Sequence, residues 1–258
     1  MNFQCSGRRV VVTAGASGIG AEIASALIEA GAAVHVCDID RGRLDAFAAA
    51  HPSVGVSLCD VADEAAVVRM VDEAAERLGR VDALVNNAGI SGPTSPIELT
   101  PTDDWMRTYA INVHGSFFCT RAAVPHLRRA GGGSLVNIAS VAGRLGFPLR
   151  SAYVGSKWAL IGLTKTWAME LGPSDIGVNA ILPGLVEGPR IRSVIAARSQ
   201  ATGRSEADIE AGFLADISLR RMVKSSEVAA LAVYLLSPAG RNISGQTISV
   251  DGNFEVIR

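Results

Sequence analysis

The stretch RRVVVTAGASGIGAEIASALIEAG, Arg8 to Gly31, runs from a β-branched segment through a glycine-rich turn into an apolar helix. A turn of this kind between a strand and a helix lets backbone amides and the helix N-terminus approach an anion such as a pyrophosphate, whose charge the helix dipole favours. Taken alone it is a weak signal, because any tight strand-to-helix turn can use glycine. The residues downstream of the turn decide the reading.

Beyond this unit, short β-branched runs keep alternating with longer helix-period segments. AAVHVCD, VGVSLCD, DALVNNAG, GSLVNIAS, IGVNAILPG and QTISVDG read as six further strands. Such alternation implies right-handed crossovers and a mainly parallel, seven-stranded sheet with helices on both faces. The fold expected is α/β, a single doubly wound Rossmann-type domain over residues 1–258. Two helix starts are read from capping chemistry: Thr100 with Pro101 at the first helical position, and Ser225 ahead of the apolar run ending at Leu236. From about 189 to 222 the pattern is helical but lacks a strand, and a segment there would cap the carboxyl ends of the strands, where ligands bind in open sheets. No repeat, low-complexity tract or linker divides the chain.

Composition narrows the function classes. The chain has 258 residues, 48% hydrophobic, with 27 glycines and a formal net charge of −1. That balance gives no electrostatic reason to expect nucleic acid or an anionic membrane as a partner, and no apolar run approaches the roughly 18 residues of a membrane helix. Near the start, Arg8 and Arg9 precede only VVV before the glycine turn, so this segment reads as a first strand rather than an export signal. Cys5, Cys37, Cys59 and Cys119 lack C-x-x-C spacing and read as reduced core thiols in a cytoplasmic protein. His35, His51, His114 and His126 show no ligand spacing, so no metal site is expected.

Two features carry chemistry. Asp38 ends the second strand 18 residues beyond Gly20, where a carboxylate can accept hydrogen bonds from ribose hydroxyls and repel a 2′-phosphate. It also reads as a helix N-cap, and nearby Arg41 keeps a phosphate partner open. In SAYVGSKWAL, Tyr153 and Lys157 are four residues apart and so share one helix face, with Ser140 at a strand end 13 residues before Tyr153.

With NNAG at Asn86 to Gly89, these features make the chain resemble a short-chain dehydrogenase/reductase of the single-domain branch, over Arg9 to Gly252. The family pattern T-G-x-x-x-G-x-G falls on Thr13 to Gly20, with Ala14 in place of the first glycine. The resemblance implies Ser140, Tyr153, Lys157 and Asn112 as the catalytic set, Asn112 holding a proton-relay water. It implies cofactor contacts from Thr13, Gly15, Ser17, Gly18, Ile19 and Gly20, then Asp38, then Asp60 and Val61 near the adenine. Asn87, Ala88 and Gly89 would form the cofactor floor. Pro183, Gly184 and Val186 would begin the nicotinamide loop, in which Gly188 replaces the usual threonine, while Tyr153 and Lys157 also touch the cofactor. It further implies NAD as cofactor and a homotetramer.

In that chemistry the hydroxyl proton of a secondary alcohol leaves as hydride passes to nicotinamide. A free tyrosine, with pKa near ~10, is a poor base at neutral pH. Lys157 and the positive nicotinamide ring both favour the phenolate. The expected function is therefore NAD-dependent dehydrogenation of a small-molecule alcohol. An NADPH-dependent ketone or 3-oxoacyl reductase would place a basic residue in the glycine loop, where Ala16 and Ser17 supply none. A non-catalytic NAD-binding scaffold would lack one of the catalytic residues. The substrate pocket is expected from Val141 to Arg150, Ile90 to Pro96 and the capping segment. Arg190, Arg192, Arg198 and Arg204 either form a solvated helix face, the more ordinary reading, or turn one guanidinium inward on an anionic substrate, Arg190 being best placed.

Overall fold

The computed structural model describes residues 3–255; the ends of the expected 1–258 domain lie outside the described residues. Strands β1 (Arg9–Thr13), β2 (Ala33–Asp38), β3 (Gly55–Leu58), β4 (Ala83–Asn86), β5 (Gly133–Ile138), β6 (Ile176–Pro183) and β7 (Thr247–Val250) form one sheet. Its order is β3-β2-β1-β4-β5-β6-β7 and every pairing is parallel, so the sheet is wholly rather than mainly parallel.

The helices among the described residues are α1 (Gly18–Glu29), α2 (Arg41–Ala50), α3 (Glu64–Leu78), α4 (Thr102–Tyr109), α5 (Gly115–Arg129), α6 (Ser151–Leu171), α7 (Pro189–Thr202), α8 (Glu206–Ala215) and α9 (Ser225–Leu236). Period-2 alternation sorts β1 between two cores. Val10 and Val12 face Ile23 and Leu27 of α1 and Val228 and Leu235 of α9, whereas Val11 faces Val67 and Met70 of α3 and Leu127 of α5. Burial on both faces is why the strand reads as an uninterrupted apolar run. All four cysteines are free and buried.

Both sequence-read helix starts shift by one residue. Thr100 closes the preceding turn, its hydroxyl donating to the Pro96 carbonyl at 3.0 Å, and α4 begins at Thr102. Ser225 is already helical; Lys224 occupies the flanking position, and its N–H donates to Glu227 Oε2 at 2.7 Å, so the cap is supplied from inside the helix.

Between 189 and 222 the chain forms α7 and α8 and contributes no strand to the sheet. Ile191, Ile195, Ile209 and Phe213 make a separate small core with Val141, Leu185, Ile217 and Phe254. Parallel bridging of Val186 to Val223 ties the loop after β6 to the end of this segment.

Candidate active site

A cavity of about 750 Å³ opens at the carboxyl ends of the strands, where the order reverses between β1 and β4. That volume lies in the upper part of the ~300–1,000 Å³ range of ligand sites.

Its floor is built from the first glycine turn. The Thr13 hydroxyl accepts the N–H groups of Asn87 and Ala88, each at 3.0 Å, while Asn87 Nδ2 donates to the Thr13 and Ala14 carbonyls at 3.0 and 3.1 Å. These bonds stitch the end of β1 to the end of β4. Ala14, Ser17, Gly18 and Ile19 line the cavity together with Asn87, Ala88 and Gly89. Thr13, Gly15 and Gly20 do not; they shape the turn from behind. A side chain at Gly15 would press on Val36, and one at Gly20 would run into the Ala14 carbonyl and the Asn87 amide. Ser17 precedes α1 without capping it, leaving the helix N-terminal amides open toward the cavity.

At the far end, Asp38 is almost fully buried. Its Oδ1 accepts the Asp40 N–H at 3.1 Å, and its Oδ2 meets no partner among the described residues. The N-cap of α2 is Asp40, which accepts the Arg43 N–H at 3.1 Å, so capping does not occupy Asp38. An orphaned buried carboxylate oxygen calls for a donor, and a ribose diol supplies two. The arginine at this end is Arg43, held by Asp40 at 3.2 Å and reaching Ser17 at 3.3 Å; Arg41 does not line the cavity. Asp60 and Val61 also line it, but the Asp60 carboxylate is divided between the Ala62 N–H at 2.9 Å and Arg107 at 3.1 Å.

At the near end, α6 sets Tyr153 and Lys157 one turn apart. Lys157 is buried, donates to the Ile138 carbonyl at 2.8 Å and stands 5.8 Å from the Tyr153 ring centre. Ser140 follows β5 in extended backbone, accepts the Ala142 N–H at 3.1 Å, and lines the cavity with Tyr153. Burial pushes the Tyr153 pKa up, but Lys157, Arg190, the nearby Ser140 hydroxyl and Arg150 together hold it below the ordinary value of 10.0. Burial likewise lowers the pKa of Lys157. Asn112 lies fully buried in a π-helical turn, Ala110–His114, between α4 and α5. Its amide brackets the Ile90 backbone, accepting at 2.8 Å and donating at 3.0 Å, and also donates to Ser156 at 2.9 Å.

Of the four arginines singled out from the sequence, Arg190 and Arg198 line the cavity, and Arg192 and Arg204 are exposed outside it. Arg190 donates across the opening to the Gly89 carbonyl, and Arg198 lies 5.2 Å over the Phe213 ring. Arg150, Arg43 and Arg107 also reach the cavity; Arg150 closes the Val141 to Arg150 stretch expected to line the substrate pocket, and the sequence assigned Arg43 and Arg107 no role. Only Arg150 carried a readable sign, standing three residues before Tyr153 at the start of the same helix. Met222 packs against the core of the 189–222 segment and does not line the main cavity.

A family model described as enoyl-(acyl carrier protein) reductase matches residues 13–254. The chain is 41% identical to a 2-dehydro-3-deoxy-L-rhamnonate dehydrogenase (NAD(+)) of Sphingomonas sp. (strain SKA58), over 71% of this chain and 74% of that one. It is 36% identical to an L-fucose dehydrogenase of Bos taurus, over 99% and 92% of the two chains. Among solved structures, an NAD⁺-bound xylitol dehydrogenase superposes with a TM-score of 0.93 at 29% identity, over 98% of this chain and 100% of that one. The chain belongs to the short-chain dehydrogenase/reductase family. It is an NAD-dependent oxidoreductase that passes hydride between the cofactor and a secondary alcohol or ketone of a small molecule.

Its two departures from the short-chain dehydrogenase pattern have local backbone accounts. Ala14 keeps the left-handed conformation, φ 48°, at the position where the pattern has glycine, so the turn survives at a strain cost of roughly 1–2 kcal/mol. Gly188, in place of threonine, takes φ 140° and ψ −174°, a region that glycine alone adopts readily. A threonine in the same conformation would be strained.

Proposed function

We propose that Tyr153 is the catalytic base and acid of this dehydrogenase, with Ser140 and Lys157 acting on the same oxygen. The observation that carries this reading is the placing of Lys157, Arg190, Ser140 and Arg150 around the phenol, which favours the phenolate and holds its pKa below that of an ordinary tyrosine. In oxidation, Tyr153 Oη takes the proton from the substrate hydroxyl, and Ser140 Oγ orients that oxygen. NAD is the hydride acceptor. Ala14, Ser17, Gly18 and Ile19 would hold its phosphates, Asp38 its adenosine ribose, and Asn87 to Gly89 with Pro183, Gly184 and Val186 its nicotinamide half. Asp60 and Val61 would flank the adenine. Thr13, Gly15 and Gly20 act through the shape of the turn. The Asn112 amide bonds Ile90 and Ser156 and its main-chain carbonyl accepts from Ser116 at 3.1 Å, so a proton-relay water would take a remaining lone pair on one of these two oxygens.

The 189–222 segment serves as the substrate cap, since Arg190, Ile191, Val194, Arg198 and Phe213 face the cavity mouth. The domain is single, works in the cytoplasm and assembles as a homotetramer through α5, α6 and the β7 edge. Of the relatives above, one is named for an anionic sugar acid and another for a neutral sugar, so relatedness leaves the charge of the substrate open. The arginines of this cavity favour an anionic small molecule. A panel of neutral alcohols, sugars and hydroxy acids assayed for NADH formation tests the reading. Formation of NADH from a secondary alcohol is expected, and its failure across the panel would contradict it.

A further inference from the structure

Arg150 is 8% exposed, yet its side chain lines the cavity. One guanidinium N–H donates to Thr94 Oγ1 at 3.1 Å, and the guanidinium carbon stands 5.0 Å from the Tyr153 ring centre. It forms no ion pair among the described residues. Of the groups acting on it, burial opposes its charge first, the Tyr153 phenolate favours it, and two more cations, Arg190 and Arg198, oppose it. The acids lining the cavity are Asp38 and Asp60 at the adenosine end, and Glu187, which is exposed and forms no ion pair among the described residues. A buried guanidinium without a counter-ion is costly and is ordinarily paired. Tyr153 offers it an anion only while the phenol is deprotonated; among the described residues no carboxylate pairs with it, and a ligand's anion has an open approach from the cavity beside the reacting phenol.

We propose that Arg150 binds the carboxylate of a short hydroxy acid whose carbinol carbon faces Tyr153, Thr94 holding the guanidinium in place. This deepens the dehydrogenase reading of the same site and rests on it. The planar fork of arginine offers two parallel N–H groups, which match the two oxygens of a carboxylate. The acid is short because the guanidinium lies beside the ring that carries the reacting hydroxyl, so only a few bonds separate carboxylate from carbinol. Arg190, the residue favoured from sequence, is the poorer clamp: its exposed guanidinium is engaged with the Gly89 carbonyl on the cofactor floor.

The test assays NADH formation from short 2-, 3- and 4-hydroxy acids, each paired with its methyl ester and with a hydroxyalkyl phosphate of similar length. The best acid should exceed its ester at least tenfold in kcat/KM, with the difference in KM. In Arg150→Met that ratio should collapse toward one, and in Arg150→Lys it should fall only in part. Binding is read separately: propanoate, but not propanamide, should raise the Tm of the NADH-saturated wild-type enzyme, and Arg150→Met should lose the rise. If Arg150→Met does not fold, the wild-type acid-to-ester ratio and the propanoate shift still decide. Esters oxidised as well as acids, a phosphate preferred over the carboxylate, or an acid preference that survives Arg150→Met each overturns the carboxylate site while leaving the dehydrogenase standing. No NADH from any hydroxy compound overturns the dehydrogenase reading instead, and a propanoate shift lost in Arg150→Met would then still support the carboxylate site.

Discussion

At the scale of single residues, Tyr153 is governed by the cations around it. Since Lys157, Arg190 and Arg150 all lower its pKa, oxidation should rise with pH as the phenol loses its proton, along a limb below the pKa of an ordinary tyrosine. Removing one cation raises the pKa. Arg190→Ala should therefore move this limb of the kcat/KM profile to higher pH, and an unmoved limb would remove Arg190 from the electrostatics of the site. The unpartnered oxygen of Asp38 leads to a preference for NAD over NADP of at least ~tenfold, about 1.4 kcal/mol. Asp38→Ala should narrow that gap, because NAD loses an acceptor and a 2′-phosphate no longer meets the carboxylate's charge. Titration of both cofactors into wild type and variant checks this; equal wild-type affinities would contradict it.

Among the elements, the glycine turn is the most constrained. Gly20 lies against the Ala14 carbonyl and the Asn87 amide, so Gly20→Ala must shift the turn or break its stitch to β4. A loss of about 1–3 kcal/mol in stability, typical of overpacking, is expected together with weaker NADH binding, read by thermal melting and NADH fluorescence. A variant as stable and as tight-binding as wild type would show that the turn is looser than its geometry. This is also where sequence reading succeeded best and then stopped. β1 and α1 were legible because a strand buried on both faces and an apolar helix each leave a local pattern, as was the Tyr153 and Lys157 pairing, fixed by helix periodicity alone. The helix starts at Thr102 and Ser225 were missed by one residue, because Thr100 was needed for the turn before it and Glu227 capped α9 from inside. The roles of Arg43 and Arg107, and that of the Arg150 guanidinium within its expected pocket stretch, stayed hidden for another reason. Each reaches the cavity from a different element, and only the assembled sheet brings those elements together.

At the scale of the whole molecule, the exposed apolar side chains Met106, Phe117, Trp158 and Met169, from α4, α5 and α6, and the open edge of β7 are surfaces that a second copy would cover. Light scattering at micromolar concentration should report a tetramer, and a monomer would contradict the assembly. The central claim is that this fold delivers a substrate hydroxyl, NAD and the Tyr153 phenol to a single point. The direct measurement compares NADH formation by wild type and Tyr153→Phe on the best substrate of the panel, with NADH affinity measured alongside. The expected result is loss of turnover by roughly 10²-fold or more, the lower range for a general acid–base, with NADH affinity within a few-fold of wild type. Turnover at the wild-type rate in the phenylalanine variant would contradict the central claim.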